Sequence, residues 1–104
     1  MRQVMVRYKL KPDRVAENEE LVRGVYEELA RTEPAGLRYA TFRLDDGVSF
    51  VHLAMTDTVD GKSPLSRVKA FKAFQRDIDD RCEEAPVVTD LREIGSFRLF
   101  EGGA

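Results

Sequence analysis

The chain of 104 residues has no tryptophan, one cysteine and one histidine. A lone Cys82 cannot close an internal disulfide, so a reducing, cytoplasmic setting is the natural expectation. Two Cys/His residues in all cannot supply the ligands of a zinc site. No metal and no other cofactor is therefore expected. Charges interrupt every apolar run before it reaches the length of a membrane span. Met1-Arg2-Gln3-Val4-Met5-Val6-Arg7 opens as a strand and lacks the long apolar segment of a signal peptide. Seventeen basic residues stand against 19 acidic ones, a formal charge of −2. That balance lacks the basic excess of a nucleic-acid binder. A Gly-rich phosphate loop, a nucleophile elbow and a dinucleotide fingerprint are also missing. Neither a membrane nor a nucleic acid is an expected partner.

What is present is a hairpin. Two strand-like runs, Leu37–Leu44 and Val48–Met55, flank Asp46-Gly47, a pair suited to a tight turn. Alternation then sorts the side chains onto two faces. Ala40, Phe42, Leu44, Val51, Leu53 and Met55 form one, with Ser49 its only polar member. Tyr39, Thr41, Arg43, Val48, Phe50, His52 and Ala54 form the other. The first reads as the core face. The second is too apolar for water and too polar for ordinary core, so it is expected to meet a partner chain or a ligand.

Around the hairpin the order is βαββαβ. A first strand spans about Gln3 to Leu10. A helix with Asp13 as candidate N-cap runs from about Arg14 to Thr32, with Val15, Leu21, Val22, Val25, Tyr26 and Leu29 on one stripe. Ser63-Pro64 is a good start for a second helix, with Leu65, Val68, Phe71, Phe74 and Ile78 buried, Pro86 closing it and a break foreseen near Cys82. The last strand is expected over about Val87 to Phe100. This order predicts an α+β fold: a ferredoxin-like sandwich whose antiparallel sheet carries two helices on one face. Residues 1–101 make a single domain and residues 102–104 a disordered tail. The second hairpin face would leave a large apolar patch in water, and a two-fold partner packed sheet on sheet removes it.

Val4-Met5-Val6-Arg7-Tyr8-Lys9-Leu10-Lys11-Pro12-Asp13, running into an acidic helix, looks like the opening of stress-responsive α/β-barrel proteins. Gly36-Leu37-Arg38-Tyr39 and Phe50-Val51-His52-Leu53-Ala54-Met55 look like strands two and three of antibiotic-biosynthesis-monooxygenase-like proteins. On these segments the chain resembles the dimeric α+β barrel superfamily. The resemblance implies a homodimer with a ligand cleft between sheet and helices. Some such proteins oxidise aromatic polyketides without metal or flavin; others degrade haem, isomerise lactones or have no known activity. Several enzymatic branches carry histidines or a tryptophan on helices or in a pocket, whereas here the one histidine is on a strand.

His52 leads the candidate residues, because an imidazole titrates near neutrality and can move a proton. On the hairpin it lies near Thr41, with Tyr39 and Arg43 diagonal to it. A catalytic reading gives His52 and Tyr39 the proton and Arg43 an anionic oxygen. Thr41, Phe50 and Tyr26 are candidate ligand contacts. The plainer reading makes His52 a satisfied interface residue and Tyr26 core. Tyr8 offers a third phenol. Cys82 lies among Asp79, Asp80, Glu83 and Glu84, which disfavour a thiolate nucleophile. The function these residues point to is a homodimeric small-molecule-binding or structural module. The alternative is a cofactor-independent monooxygenase or isomerase acting on a small aromatic substrate. An RNA-recognition-like module shares the element order and partly matches at Gly47, Phe50 and Val51. Asp46 and Val48, however, stand where that module needs a basic and an aromatic residue.

Overall fold

The computed structural model describes residues 1–99. β1 (Arg2–Leu10) passes through a 3-10 turn at Pro12–Arg14 into α1 (Val15–Thr32). β2 (Leu37–Arg43) and β3 (Ser49–Thr56) follow. A second 3-10 turn, Pro64–Arg67, leads to α2 (Lys69–Gln75), α3 (Ile78–Arg81) and β4 (Cys82–Asp90). The strands make one antiparallel sheet in the order β2-β3-β1-β4. This is the expected α+β, ferredoxin-like sandwich: each helical connection carries the chain past one intervening strand.

α1 stops where Glu33 takes a left-handed conformation (φ 43°) and its N–H donates to the Leu29 carbonyl at 2.8 Å. Pro34 cannot prolong the ladder. Gly36 comes next at φ +80°, and a Cβ there would lie 2.5 Å from the Asp57 carbonyl oxygen. Only glycine lets the start of β2 approach the end of β3 this closely. Glu28 of α1 reaches α2 and accepts from the Lys69 and Ala70 N–H groups at 3.0 and 2.9 Å. It therefore caps a seven-residue helix that has no cap of its own.

Four local expectations are corrected. The second helix is broken in three: Arg76 is extended and Asp77 left-handed (φ 59°), so α2 ends at Gln75. The Arg81 guanidinium donates to the freed carbonyls of Phe74 and Arg76 at 2.6 and 3.0 Å, which satisfies that break. The last strand begins at Cys82 and ends at Asp90 instead of spanning Val87 to Phe100. Its Pro86 is tolerated because β4 is an edge strand with a register shift opposite Arg7–Lys9. The hairpin turn is centred on Asp45-Asp46, with the Gly47 N–H bonded to the Leu44 carbonyl and only Gly47 at positive φ (78°). Asp13 caps nothing; it lies inside the first 3-10 turn. Phe100 and the tail at 102–104 lie outside the described residues.

The largest correction concerns the faces. The strand register is as expected, with Thr41 opposite His52. The helices, however, cover the His52 face. Phe50 and His52 are 3% and 4% exposed, and Tyr8 and Leu10 of β1 join them in the core with Val25, Leu65, Val68 and Phe74. The face carrying Met5, Ala40, Phe42, Val51, Leu53, Met55 and Val87 is the outer one, and Phe42 and Val87 remain 53% and 62% exposed. Polar members argue against a core position for the His52 face. Inside, they satisfy one another, so their burial costs little. Phe50, beneath the helices and stacked on Tyr8 at 5.6 Å, is also unavailable to stack on an RNA base.

Candidate functional site

Register builds the site. His52 sits mid-strand in β3, with Val6 of β1 on one side and Thr41 of β2 on the other. Residues two along on those neighbours, Tyr8 and Tyr39, bring their hydroxyls to the two ring nitrogens. Tyr8 Oη lies 2.8 Å from Nε2 and Tyr39 Oη 2.5 Å from Nδ1. Thr41 Oγ1 is 3.2 Å from Nδ1 and 2.8 Å from Tyr26 Oη. Behind Tyr8, Asn18 donates to its oxygen at 2.9 Å, and Arg81 Nε donates to Asn18 Oδ1 at 3.3 Å. Asn18 is fully buried and Arg81 1% exposed. The chain of contacts thus runs from α3 through α1 and three strands.

Aromatic rings wall this network. Phe74 of α2 stacks on the imidazole at 5.2 Å, Tyr26 of α1 stacks on Tyr39 at 5.4 Å, and Phe71 meets Tyr39 edge-on at 6.3 Å. Between the sheet and the short helices these side chains leave a cavity of about 500 Å³. Val6, Tyr8, Tyr39 and His52 lie on its sheet side, and Leu65, Phe71, Phe74 and Ile78 on its helix side. A shallower hollow of about 390 Å³ lies beyond Tyr39, bounded by Tyr26, Leu29, Pro34 and Leu37.

Burial sets the charge state. It pulls the His52 imidazolium pKa down from 6.5 to about 4, so the ring is neutral at neutral pH. Burial also lifts the Tyr8 phenol well above the ordinary range, against the opposing Asn18 bond. Tyr39 is raised by burial and by its neighbour Tyr26. Tyr26 is raised by burial as well, partly offset by Thr41. Every hydroxyl therefore stays protonated. The site can orient and hydrogen-bond a neutral molecule, and it is poorly suited to hold a separated charge. Among the described residues no three His, Cys, Asp or Glu side chains come together to hold a metal ion.

The structure brings His52, Tyr39 and Thr41 together and ties Tyr26 to them through Thr41. Tyr39 and His52 line the cavity; Phe50 lies under the network, against Tyr8. Arg43 is not brought in. It shares the face by register but sits at the last position of β2, where its guanidinium pairs with Glu19 at 2.8 Å and stays exposed. Asn18, Arg81 and the cavity lining by Phe71 and Phe74 went unrecognised from sequence. Asn18 had a signal, because it fills the gap in the apolar stripe between Val15 and Leu21. Arg81 had none, since an arginine among acidic residues reads as a solvated charge.

No family model matches the chain, and no protein of curated function matches it. Solved structures do. A putative antibiotic biosynthesis monooxygenase from Nitrosomonas europaea superposes with a TM-score of 0.74 at 15% identity, covering 91% of this chain and all of the other. A crystal structure of an antibiotic biosynthesis monooxygenase gives 0.70 at 19% identity over 91% of this chain and all of the other. A protein of unknown function from Nitrosomonas europaea gives 0.70 at 13% identity, covering 92% and 91%. What is shared at such identities is the fold. The chain has the ferredoxin-like α+β fold of the antibiotic biosynthesis monooxygenase-like structures, and that fold by itself carries no activity.

Proposed function

We propose that this chain is a homodimeric small-molecule-binding protein that takes a compact, largely apolar, aromatic ligand between its sheet and its short helices. One observation carries the reading: a largely apolar cavity of about 500 Å³ lined by Tyr8, Tyr39, Phe71 and Phe74, with His52 on its sheet side and Arg2, Ser63 and Gln75 among its other polar groups. That volume and that ratio of apolar wall to convergent polar groups fit a drug-sized ligand. The dimer is supported by the outer sheet face. Phe42 and Val87 stay exposed on it beside the part-buried Met5, Leu53 and Met55, and a two-fold copy would cover this apolar row. The cytoplasm suits a chain with one buried, unpaired cysteine.

The test is a titration with bicyclic and tricyclic aromatics, followed by the single imidazole and the aromatic resonances. Binding that perturbs His52, Tyr39 and Phe74 is expected. Saturation without perturbing them, or no binding across the series, sinks the reading. Sedimentation should give twice the mass of one chain at micromolar concentration. A single-chain mass there would refute the dimer.

A second reading is cofactor-independent oxygenation or isomerisation of such a ligand. The contact of the His52–Tyr39 pair with the cavity favours it, as do the names of the fold neighbours. In this reading His52 and Tyr39 handle the proton, and Arg43 stays in its pair with Glu19. Oxygen uptake or isomer formation with a bound aromatic, lost in His52→Gln, would support it; ligand recovered unchanged would refute it.

A further inference from the structure

The hydrogen bonds around His52 have a direction, and one end fixes it. Arg81 Nε can only donate, so the Asn18 atom facing it is the carbonyl oxygen. The Asn18 amide nitrogen therefore faces Tyr8 and donates to Oη. The Tyr8 proton then needs an acceptor, and the one in reach is His52 Nε2 at 2.8 Å. An unprotonated Nε2 in a neutral ring puts the proton on Nδ1, which faces Tyr39 Oη at 2.5 Å. Tyr39 accepts that bond, with Thr41 Oγ1 a second and longer neighbour of Nδ1 at 3.2 Å, and the Tyr39 proton is left for Thr41 or for a ligand in the cavity. The reverse assignment would strand the Tyr8 proton against the Asn18 amide in a buried site, which folded proteins avoid.

We infer that Arg81 and Asn18 are positioning residues that lock His52 with its proton on Nδ1, so that Tyr39 meets the ligand as a hydrogen-bond donor and selects a carbonyl-bearing aromatic. This rests on the cavity being the binding site, as proposed above. It narrows the ligand from any compact aromatic to one presenting an acceptor oxygen, such as an aryl ketone. Arg81 is well held for the role: Nη1 and Nη2 anchor on the Arg76 and Phe74 carbonyls, and its guanidinium lies 5.6 Å from the Phe74 ring centre. The same residue that closes the end of α2 therefore orients the binding corner.

Two measurements test this. A long-range proton–nitrogen spectrum of labelled protein reads the tautomer directly, because the chain holds one imidazole. The Nδ1-protonated form is expected, with loss of that preference in Asn18→Leu. An Nε2-protonated ring in the wild type overturns the inference. Independently, 1-tetralone and tetralin are titrated as a matched pair with and without the acceptor. The ketone should bind about five- to tenfold tighter, the worth of one neutral hydrogen bond, and Tyr39→Phe should erase the difference while keeping the tetralin affinity. Equal affinities in the wild type, or a preference that survives Tyr39→Phe, refute donor selection and leave the cavity reading standing. Binding of neither compound overturns both. Should either variant fail to fold, the wild-type tautomer and the wild-type pair still decide.

Discussion

The two faces of the sheet invert the usual expectation of polar outside and apolar inside. The inner face holds His52, Thr41, Tyr8 and Tyr39, yet among the described residues no buried side-chain nitrogen or oxygen lacks a partner. The outer face holds the exposed Phe42 and Val87 and the part-buried Leu53 and Met55. The difference teaches that hydropathy does not assign a strand face when polar groups can satisfy each other. Mutual satisfaction makes a polar residue a tolerable core residue, and an apolar residue on a bare face marks a surface awaiting contact.

That contrast can be broken most strongly by truncating one phenylalanine on each side of it. Phe74→Ala removes the ring packed against Tyr8, His52 and Phe71 and should cost about 3–5 kcal/mol in a denaturant titration. Phe42→Ala, half exposed, should cost no more than about 0.5 kcal/mol for the dilute single chain. It should cost more as concentration rises if the outer face is the dimer interface. Equal costs at high dilution would mean the two faces are not distinct.

Acid sharpens the comparison next. The folded His52 resists protonation until about pH 4, whereas the unfolded chain takes up the proton near 6.5. Between those values the unfolded state binds more protons, so stability is greatest above 6.5 and falls as pH drops toward 4. The shift corresponds to about 3 kcal/mol of order-of-magnitude loss across that window. His52→Gln should flatten this limb. An unchanged pH profile in that variant would show that His52 is not the group responsible. Asp46 acts in a separate, lower window. Bonds from the Ser49 hydroxyl and the Ser49 and Val48 N–H groups hold its carboxyl at about 2, so its contribution fades only below the ordinary carboxylate range.

A small effect on stability and none on binding belongs to Arg43→Ala. An exposed pair with Glu19 should be worth less than about 1 kcal/mol, and ligand binding should not change. A loss of binding would make Arg43 a site residue despite its pair with Glu19.

The legible part of the site was its neighbourhood within the hairpin. Alternation and one turn placed His52 beside Thr41 and near Tyr39, because register is a local property of two strands joined by a short loop. Tyr8 was legible as a phenol, but not as the partner of Nε2, since that depends on β1 lying beside β3. Phe71 and Phe74 read as core residues and prove also to line the cavity. Arg81 was invisible because its burial follows from the break after Gln75, and no helical period predicts where a chain will turn left-handed at Asp77.

By itself the sequence determined the element order, the ferredoxin-like class and which side chains share a face, because periodicity and punctuation are written in nearest neighbours. The tertiary structure alone decided which face the helices cover, which polar groups meet in the line from Arg81 to Tyr39, and that a cavity remains beside them. Those outcomes depend on contacts between residues distant in the chain, where packing and mutual satisfaction of buried polar groups outweigh the local pattern.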